Sequence, residues 1–308
     1  MVNLEVSPKS VAVCIIAYNE KQNIESLLRQ ILVNDQLNLK VYVYTDGSTD
    51  GTANVVEFLA RKNKNKLTHI KGKNRKGKQN AYNTLLKQVE KYDYTIFLDA
   101  DIRLEKESLH LLINYLQSNT QYKVVGSFLY PSTVVVSRIP IIYRKVKEHI
   151  YRNGDYRYFT GRAFVAITSF LPKIPKDSHS DDFYLNLKFA PSEIGICRDS
   201  IVNYIIPHST KGMFWYSYYI GSTMTDVRDN YKNLWKDQIK RVSLWDYVVF
   251  GLTRKNFGTF WSELENRDKL IFIYSRVVTM LGFVTGYITS GRKYLWEPIK
   301  ETKSKIDG

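Results

Sequence analysis

Two aspartates, Asp99 and Asp101, flank one alanine directly after the apolar run of residues 94–98. Alternate residues of an extended chain point the same way, so both carboxylates can face the crevice where open α/β sheets bind ligands. Hard oxygen ligands of this kind favour Mg²⁺ or Mn²⁺ over Zn²⁺. A cation held there could in turn hold a diphosphate. The alternative is that the two aspartates only open a solvated turn, a common use of aspartate.

The chain before these aspartates alternates continuous apolar runs with amphipathic runs of helical spacing. This alternation predicts an α/β fold with a parallel sheet and right-handed crossovers. The predicted strands are residues 11–17, 41–45, 67–70 and 94–98, and the predicted helices run through residues 24–32, 52–62 and 79–89.

Polar residues follow three of these predicted strands. Tyr18, Asp46 and Asp99 each come directly after a strand-like run. Because the carboxyl ends of parallel strands lie along one edge of a sheet, we expect the three side chains to converge there. Core packing does not require this coincidence, so it favours a ligand site.

The middle of the chain, residues 109–207, contains further strand-like runs that we expect to complete the sheet. These runs are residues 124–128, 134–136 and 159–165, and a helix is predicted at residues 183–190.

The composition changes after His208. All five tryptophans lie beyond it, among many tyrosines, phenylalanines and basic residues. Such side chains favour the zone between water and lipid headgroups, although a helical subdomain with its aromatics inside is the alternative. Residues 270–289 are the candidate membrane span, but Arg276 interrupts them, and a charge near a bilayer centre is costly. We therefore expect this region to lie on a membrane rather than cross it.

The formal net charge of +15 predicts an anionic partner, which could be nucleic acid, a membrane surface or a phosphate-rich substrate. With 308 residues and 44% hydrophobic side chains, the chain should fold except at a tail beginning near Lys300. Residues 1–8 lack the basic and then apolar layout of a secretory signal, and the only cysteines are Cys14 and Cys197. These features predict a cytoplasmic location.

Several segments, in their order and spacing, resemble family 2 glycosyltransferases with the GT-A nucleotide-sugar fold. Four of them are residues 17–20, 45–50, 77–83 and 99–101. Residues 180–185 resemble the acidic pair of that family, which precedes an apolar helix, and residues 160–164 resemble its glycine segment beside the acceptor.

The resemblance implies a Rossmann-like, mostly parallel GT-A sheet flanked by helices, and the composition after His208 predicts a C-terminal aromatic and basic helical region. The implied domains are a catalytic domain over residues 1–207 and a helical, membrane-associating region over residues 208–308. Within the catalytic domain, the nucleotide-binding half covers about residues 9–105 and the acceptor half about residues 106–207.

The resemblance also implies roles for the residues at the strand ends. Tyr18 would pack on the nucleotide base, and Asp46 would accept a hydrogen bond from the imide of a uridine. Lys78 would contact the nucleotide at a helix start, where backbone amides also favour anions. Asp99 would reach the ribose or the metal shell, and Asp101 would ligate the Mn²⁺ or Mg²⁺ that bridges the diphosphate. The other positions matched to the nucleotide-sugar site are Ala17, Glu20 and Ala100.

Two of these residues have a second interpretation from their local sequence. Tyr18 could be a rim tyrosine, and Asp46 could cap the following helix or organise its own turn. The basic neighbours of the matched lysine are expected to be solvated charge, and they are Lys73, Arg75 and Lys76.

On the acceptor side, the resemblance implies that Asp182 is the general base and that Asp181 is a supporting or acceptor-binding group. Gly161 and Arg162 would border the acceptor. Adjacent carboxylates resist joint ionisation, which can raise one pKa toward the working pH. Direct attack by the activated hydroxyl inverts the anomeric centre. The alternative is that both aspartates cap the helix that follows them.

Residues 238–241 resemble the Gln-x-x-Arg of membrane polysaccharide synthases, which makes Arg241 a candidate phosphate contact. Val242 takes the place of the tryptophan that follows in those enzymes, so chain-building processivity is not predicted. An ordinary amphipathic helix is the alternative for this segment. His208 is a candidate metal contact or a loop histidine without that role.

Together these features predict an inverting, metal-dependent glycosyltransferase that uses a nucleotide-diphosphate sugar, UDP-linked, and a lipid-linked or surface-glycan acceptor. It would work peripherally at the inner face of the cell membrane, against an anionic lipid surface. The alternatives are a soluble enzyme for proteins or small molecules and a non-catalytic nucleotide-sugar or glycan-binding module. Nucleic acid is not expected as a partner, because a diphosphate explains the basic cluster at residues 71–78.

Overall fold

The computed structural model of the chain describes residues 10–33, 39–132, 138–153, 159–176, 178, 180–230 and 254–289.

The first third alternates strands and helices as the sequence predicts. The strands are continuous apolar runs because both faces of the sheet are covered by helices. Gly51 and Gly77 directly precede helices with φ of +95° and +91°, a left-handed backbone that glycine adopts without steric cost. The elements are β1 (Val11–Ala17), α1 (Lys21–Leu32), β2 (Leu39–Asp46), α2 (Thr52–Lys62), β3 (Leu67–Gly72), α3 (Lys78–Val89) and β4 (Tyr94–Asp99).

The rest of the described chain adds four strands and then a set of helices. The elements are β5 (Ile102–Leu104), α4 (Ser108–Ser118), β6 (Val124–Pro131), α5 (Arg138–Asn153), β7 (Ala163–Ile167), α6 (Asp181–Lys188), β8 (Ile194–Tyr204), α7 (Thr210–Asn230), α8 (Arg254–Glu263) and α9 (Asn266–Thr289).

The eight strands form one mixed sheet in the order β3-β2-β1-β4-β7-β6-β8-β5. Strands β3, β2, β1 and β4 are parallel, whereas β7 is antiparallel to both β4 and β6. Beyond β6, β8 is parallel to it and β5 is antiparallel to β8. The parallel half is therefore the part that the alternating sequence pattern predicts.

Two expectations for the middle of the chain need correction, and a third falls outside the described residues. The predicted strand at residues 159–165 is wrong at its start, because β7 begins only at Ala163 and a turn precedes it. The helix predicted at residues 183–190 begins two residues earlier, at Asp181. The strand expected at residues 134–136 lies outside the described residues.

The sheet packs a separate apolar core on each face. One core, which includes Ile15 and Leu112, lies under α1, α2 and α4. The other lies under α3 and α6, where Phe97 stacks between Tyr82 and Phe164 with ring centroids 4.6 and 5.4 Å away. These cores hold the carboxyl ends of β1, β2 and β4 in fixed positions.

The C-terminal helices pack on α5 and on one another. Phe260 and Phe272 are buried against Val146 of α5, so part of the aromatic content does form an apolar interior. In the part of the chain that the structure describes, α9 is the helix with the length and apolar composition to cross a membrane. Arg276 on α9 is nevertheless 6% exposed, and its Nη2 donates a hydrogen bond to the hydroxyl of Tyr143 at 3.0 Å.

Candidate active site

The polar residues that follow the parallel strands meet at one edge of the sheet. Asp99 pairs in register with Ile16, and Thr45 pairs with Ala17, so β1, β2 and β4 end at the same level. The convergence expected for Tyr18, Asp46 and Asp99 follows from this register. The edge is therefore the floor of a candidate active site.

The segment after β1 is fixed by hydrogen bonds to the turn before α2. Asn19 has a left-handed φ of 53°, and its Oδ1 accepts the N–H of Thr49 at 2.9 Å. Glu20 is 5% exposed, and its carboxylate accepts a hydrogen bond from Asn23 at 3.0 Å. The Ala17 side chain is fully buried in the core, so only its backbone can face a ligand.

Tyr18 lies at the rim with a cation on its ring. The Arg75 guanidinium stands 4.1 Å from the ring centroid. The expectation that Arg75 is simply solvated charge is therefore wrong, because the basic loop places this side chain on the ring of Tyr18.

Asp46 organises the loop that leads into α3. It is 3% exposed, and its two carboxylate oxygens accept the backbone N–H groups of Lys76 and Gly77, both at 2.8 Å. Asp46 therefore links the end of β2 to a loop thirty residues away, rather than only organising the turn that follows it. A carboxylate has about four acceptor sites, so a contact to a nucleotide imide remains chemically open and stays a prediction.

Lys78 is the first residue of α3 and joins two acidic segments. Its Nζ lies 2.8 Å from Asp99 Oδ1 and 3.0 Å from Asp181 Oδ2. Burial acts to lower the pKa of Lys78, but the charges of Asp181, Asp99 and Asp182 outweigh burial and raise that pKa well above its ordinary value. Lys78 is therefore a permanent cation in the crevice.

Arg162 holds the two aspartates that the sequence marks as metal ligands. Its carbonyl oxygen accepts the N–H of Asp99 at 2.8 Å, and its Nη1 lies 3.3 Å from Asp101 Oδ1. Ala100 between them is buried at 3%. Burial raises the pKa of Asp101, the Arg162 charge opposes this, and Asp99 reinforces it. Arg162 was expected beside the acceptor, which stays a prediction, and the structure shows that it touches the donor-side Asp101.

The acidic pair opens α6 next to the glycine segment. Asp182 Oδ2 accepts the N–H of Gly161 at 3.3 Å, and a methyl group added at that glycine would lie 2.9 Å from Asp182 Cβ. Ser180 caps the helix by accepting the N–H of Phe183, and Asp182 Oδ1 accepts the same N–H at 2.9 Å. Helix capping thus accounts for the contact of Asp182 Oδ1 with Phe183. It does not account for Asp181, whose carboxylate pairs with Lys78.

The two members of the acidic pair differ in environment. Asp181 is 8% exposed, and burial raises its pKa to about 6, with Lys78 opposing the shift and Asp182 and Asp99 adding to it. Asp182 is half-buried. The raised pKa expected for one of two adjacent carboxyls therefore falls on Asp181, the deeper of the two.

Helix α7 of the C-terminal region also reaches this edge. The phenol of Tyr219 is near enough to interact electrostatically with Asp182 and Asp181, and burial together with these charges raises its pKa. His208 lies between β8 and α7 and is half-buried. Arg241 lies outside the described residues. Nothing in the local spacing of α7 marks Tyr219, because only the tertiary fold brings it to the acidic pair.

A divalent cation fits the donor-side aspartates only with help from a ligand. Among the described residues, no group of three or more His, Cys, Asp or Glu side chains could hold a metal ion, so Asp99, Asp101 and His208 do not form a complete set. One or two carboxylates that share the cation with substrate phosphates and water are a usual arrangement for Mg²⁺. The four carboxylates of the crevice also outnumber Lys78 and Arg162, which leaves a net negative charge for a cation to balance.

The sequence comparison identifies a family. The family model described as "Glycosyl transferase family 2" matches residues 12–171. A curated relative, "Poly-beta-1,6-N-acetyl-D-glucosamine synthase" of Staphylococcus aureus (strain COL), is 29% identical over 105 residues, which are 34% of this chain and 25% of that protein. The match thus spans about a quarter of the length of this relative.

Solved structures with low sequence identity share the fold. A mannosyltransferase from Pyrobaculum calidifontis, PcManGT in complex with GDP-Man and Mn²⁺, is 17% identical, covers 92% of this chain and 88% of its own, and gives a TM-score of 0.61. TarS of S. aureus (1-349) in complex with UDP is 17% identical, covers 95% of both chains and gives a TM-score of 0.50. The expected GT-A fold is confirmed by these likenesses.

Proposed function

Because the chain belongs to glycosyl transferase family 2, we propose that it is a glycosyltransferase that moves a sugar from a UDP-sugar to an acceptor hydroxyl with inversion at the anomeric carbon. One observation carries the proposal: Lys78 bridges Asp99 and Asp181, while Asp182 stands beside them against Gly161. A cation for the leaving diphosphate and a base for the acceptor thus share one crevice.

The donor diphosphate would bind at the amino end of α3. Lys78 and the backbone amides of that helix end supply positive charge where negative charge develops on the departing nucleotide. A divalent cation, Mn²⁺ or Mg²⁺, held by Asp101 and Asp99 would add positive charge beside the diphosphate. Because the carboxylates of the crevice outnumber its cations, donor binding should depend on that divalent ion.

The nucleoside would bind across Tyr18 and Asp46. Tyr18 offers an aromatic face once Arg75 moves from its ring, and Asp46 offers an acceptor for the imide N–H of uracil. The choice of UDP is supported by TarS, whose structure contains UDP. The name of the S. aureus synthase indicates a polymer of N-acetylglucosamine as its product. PcManGT holds GDP-Man, so guanine is the competing base.

Asp182 is better placed than Asp181 to take the acceptor proton. Its Oδ1 already accepts hydrogen bonds from Ser180 and Phe183, whereas Oδ2 accepts one long bond from Gly161. Oδ2 therefore has a lone pair for the acceptor hydroxyl. Asp181 is buried and paired with Lys78, so it supports the site rather than receiving the proton. Direct attack with this base on the opposite side from the diphosphate gives inversion.

The proposed acceptor is a lipid-linked or surface glycan at the cytoplasmic face of a membrane. The helical region after residue 207 carries exposed aromatic and aliphatic side chains, and its α7 reaches the acidic pair through Tyr219. Such a surface favours lipid headgroups, and the net charge of +15 favours anionic ones. The catalytic domain would then end near residue 207.

The test is the turnover of UDP-sugars by an Asp182→Asn variant. UDP release with Mn²⁺ should fall by about a hundredfold or more, since general-base catalysis is worth roughly 10²–10⁴. Calorimetric binding of UDP with Mn²⁺ should stay close to that of the parent protein. Asp199→Asn, an exposed aspartate on β8, is the matched control and should leave turnover unchanged. Equal turnover in Asp182→Asn and the parent would refute the assignment.

A further inference from the structure

An uninterrupted apolar stripe runs along the outer face of α9. Its members recur three or four positions apart, so they share one face of the helix, and each is 42% to 74% exposed. They are Leu270, Ile273, Val277, Leu281, Val284 and Ile288. At 1.5 Å per residue, this α9 stripe is about 27 Å long.

Some of the polar and small residues of α9 lie on the opposite face, whereas Thr285 and Thr289 are exposed. Ser275 and Arg276 are 0% and 6% exposed, and Arg276 turns toward Tyr143 of α5. Burial lowers the pKa of Arg276 to about 10, with Tyr143 opposing the shift. The charge that argued against a membrane crossing in the sequence therefore points into the protein and leaves the α9 stripe apolar.

Helix α7 fixes the position of α9 by close backbone contact. Methyl groups added at Gly282 and Gly286 of α9 would overlap the carbonyl oxygens of Phe214 and Tyr218 on α7, and one added at Gly221 would overlap the carbonyl oxygen of Phe283. Small residues permit this kind of approach between helices. The depth of α9 in any lipid is thus tied to α7.

The same helix α7 carries Tyr219 to the acidic pair of the active site. Crossing a bilayer would draw α7, which carries the exposed Lys211 and Asp229, and the catalytic edge into the hydrocarbon with α9. If α9 lies in the interface plane, α7 and the catalytic edge stay outside the hydrocarbon, because only the outer face of α9 needs to be apolar.

We propose that the α9 stripe docks on an anionic bilayer, with α9 lying parallel to its surface. A second copy of the chain is disfavoured as the occupant, because it would bring together two bodies of charge +15, whereas anionic headgroups complement that charge. Trp215 and Tyr274 are each 49% exposed and have the amphipathic rings that suit this zone. This inference deepens the membrane association proposed above by giving it a surface and an orientation.

Single-cysteine labelling of the full chain tests the docking surface. The native Cys14 and Cys197 are 0% and 2% exposed, so a cysteine placed on the surface is the accessible thiol. Leu281→Cys should react quickly with a maleimide in solution and at least about tenfold more slowly on phosphatidylglycerol vesicles. Phe58→Cys, on α2 and 53% exposed in the parent, is the control and should react equally under both conditions.

Slow reaction of Leu281→Cys without vesicles would overturn the proposal, because the stripe would then be covered by this chain or a second copy. Sedimentation velocity separates those two occupants. Fast reaction that vesicles do not slow would overturn it as well.

Depth measurement tests the orientation. Fluorophores on cysteines at positions 273, 281 and 288 should be quenched equally by a quencher at one level of the acyl chain if α9 lies in plane. Depths that increase steadily along the helix would show a crossing helix and overturn the orientation.

A charged variant separates docking from catalysis. Val277→Glu with Leu281→Glu should weaken vesicle binding by at least about tenfold, since carboxylates resist the apolar zone. Phe58→Glu should not. Manganese-dependent UDP release in solution should be the same in the parent and both variants. If the parent releases no UDP, the proposed donor chemistry fails while the vesicle data still decide the docking surface.

Discussion

The ionisation of Asp181 gives a stability effect that can be worked out from the structure. Its pKa is about 6 in the fold against 3.8 ordinarily, and about 1.4 kcal/mol per pKa unit makes this about 3 kcal/mol. The folded state keeps the proton over a range where the unfolded chain has lost it. This contribution is therefore fully present below about pH 4 and is lost as the pH rises through about 6.

The assay compares the free energy of unfolding of the parent with that of Asp181→Asn by urea denaturation, without metal or nucleotide, from pH 4 to pH 7. The amide does not titrate, so the variant should gain about 3 kcal/mol relative to the parent across this range. Loss of the Lys78 contact adds an offset, and only the pH-dependent part of the difference tests the argument. A difference that stays constant with pH would refute it.

Asp50 provides a control of opposite sign. Burial acts to raise its pKa, but hydrogen bonds from Thr52 and from the N–H of Lys21 outweigh burial and lower it. Its contribution is present above the unfolded pKa and is lost as the pH falls. Asp50→Asn should therefore lose stability relative to the parent as the pH rises.

Two further changes test the geometry of the crevice. Gly161→Ala should lower kcat about tenfold or more, because the new methyl would displace Asp182. The control Gly258→Ala has open space around the new methyl and should leave kcat unchanged. An unaltered kcat in Gly161→Ala would contradict the packing. Tyr18→Ala should weaken UDP binding about tenfold in calorimetry and Tyr18→Phe should restore it, since base stacking is worth about 1–3 kcal/mol; equal affinities would exclude the stack.

The nucleotide-binding half of the fold is largely readable from the sequence. Buried parallel strands are continuous apolar runs, and Gly51 and Gly77 mark the turns between them and the helices. Once these strands are assigned, the rule that ligands bind at their carboxyl ends places Tyr18 and Asp99 together. The local sequence pattern and the sheet topology agree here, so the strands predicted from the sequence are found in the structure.

Helix α5 is harder to recognise, although its core residues Ile142, Val146 and Ile150 are spaced for a helix. A valine-rich run precedes it, and Pro140 stands inside it. Proline is tolerated in the first turn of a helix, where its missing N–H needs no partner, and Pro140 is the third residue of α5.

Long-range partners account for the rest of what the sequence does not reveal. Asp46 binds amides thirty residues away, and Arg276 turns inward to Tyr143 on another helix. Tyr219 reaches the acidic pair only because α7 folds back over the sheet edge. No motif or regular spacing in the sequence indicates these pairings, since each depends on how whole elements pack.

A crystal structure with UDP and Mn²⁺ tests the central claim most directly. We predict that the diphosphate lies at the start of α3 with Lys78 in contact, that the cation joins it to Asp101, and that Asp182 Oδ2 faces the open acceptor side. A nucleotide bound away from this edge, or a cation that does not touch Asp101, would contradict the account.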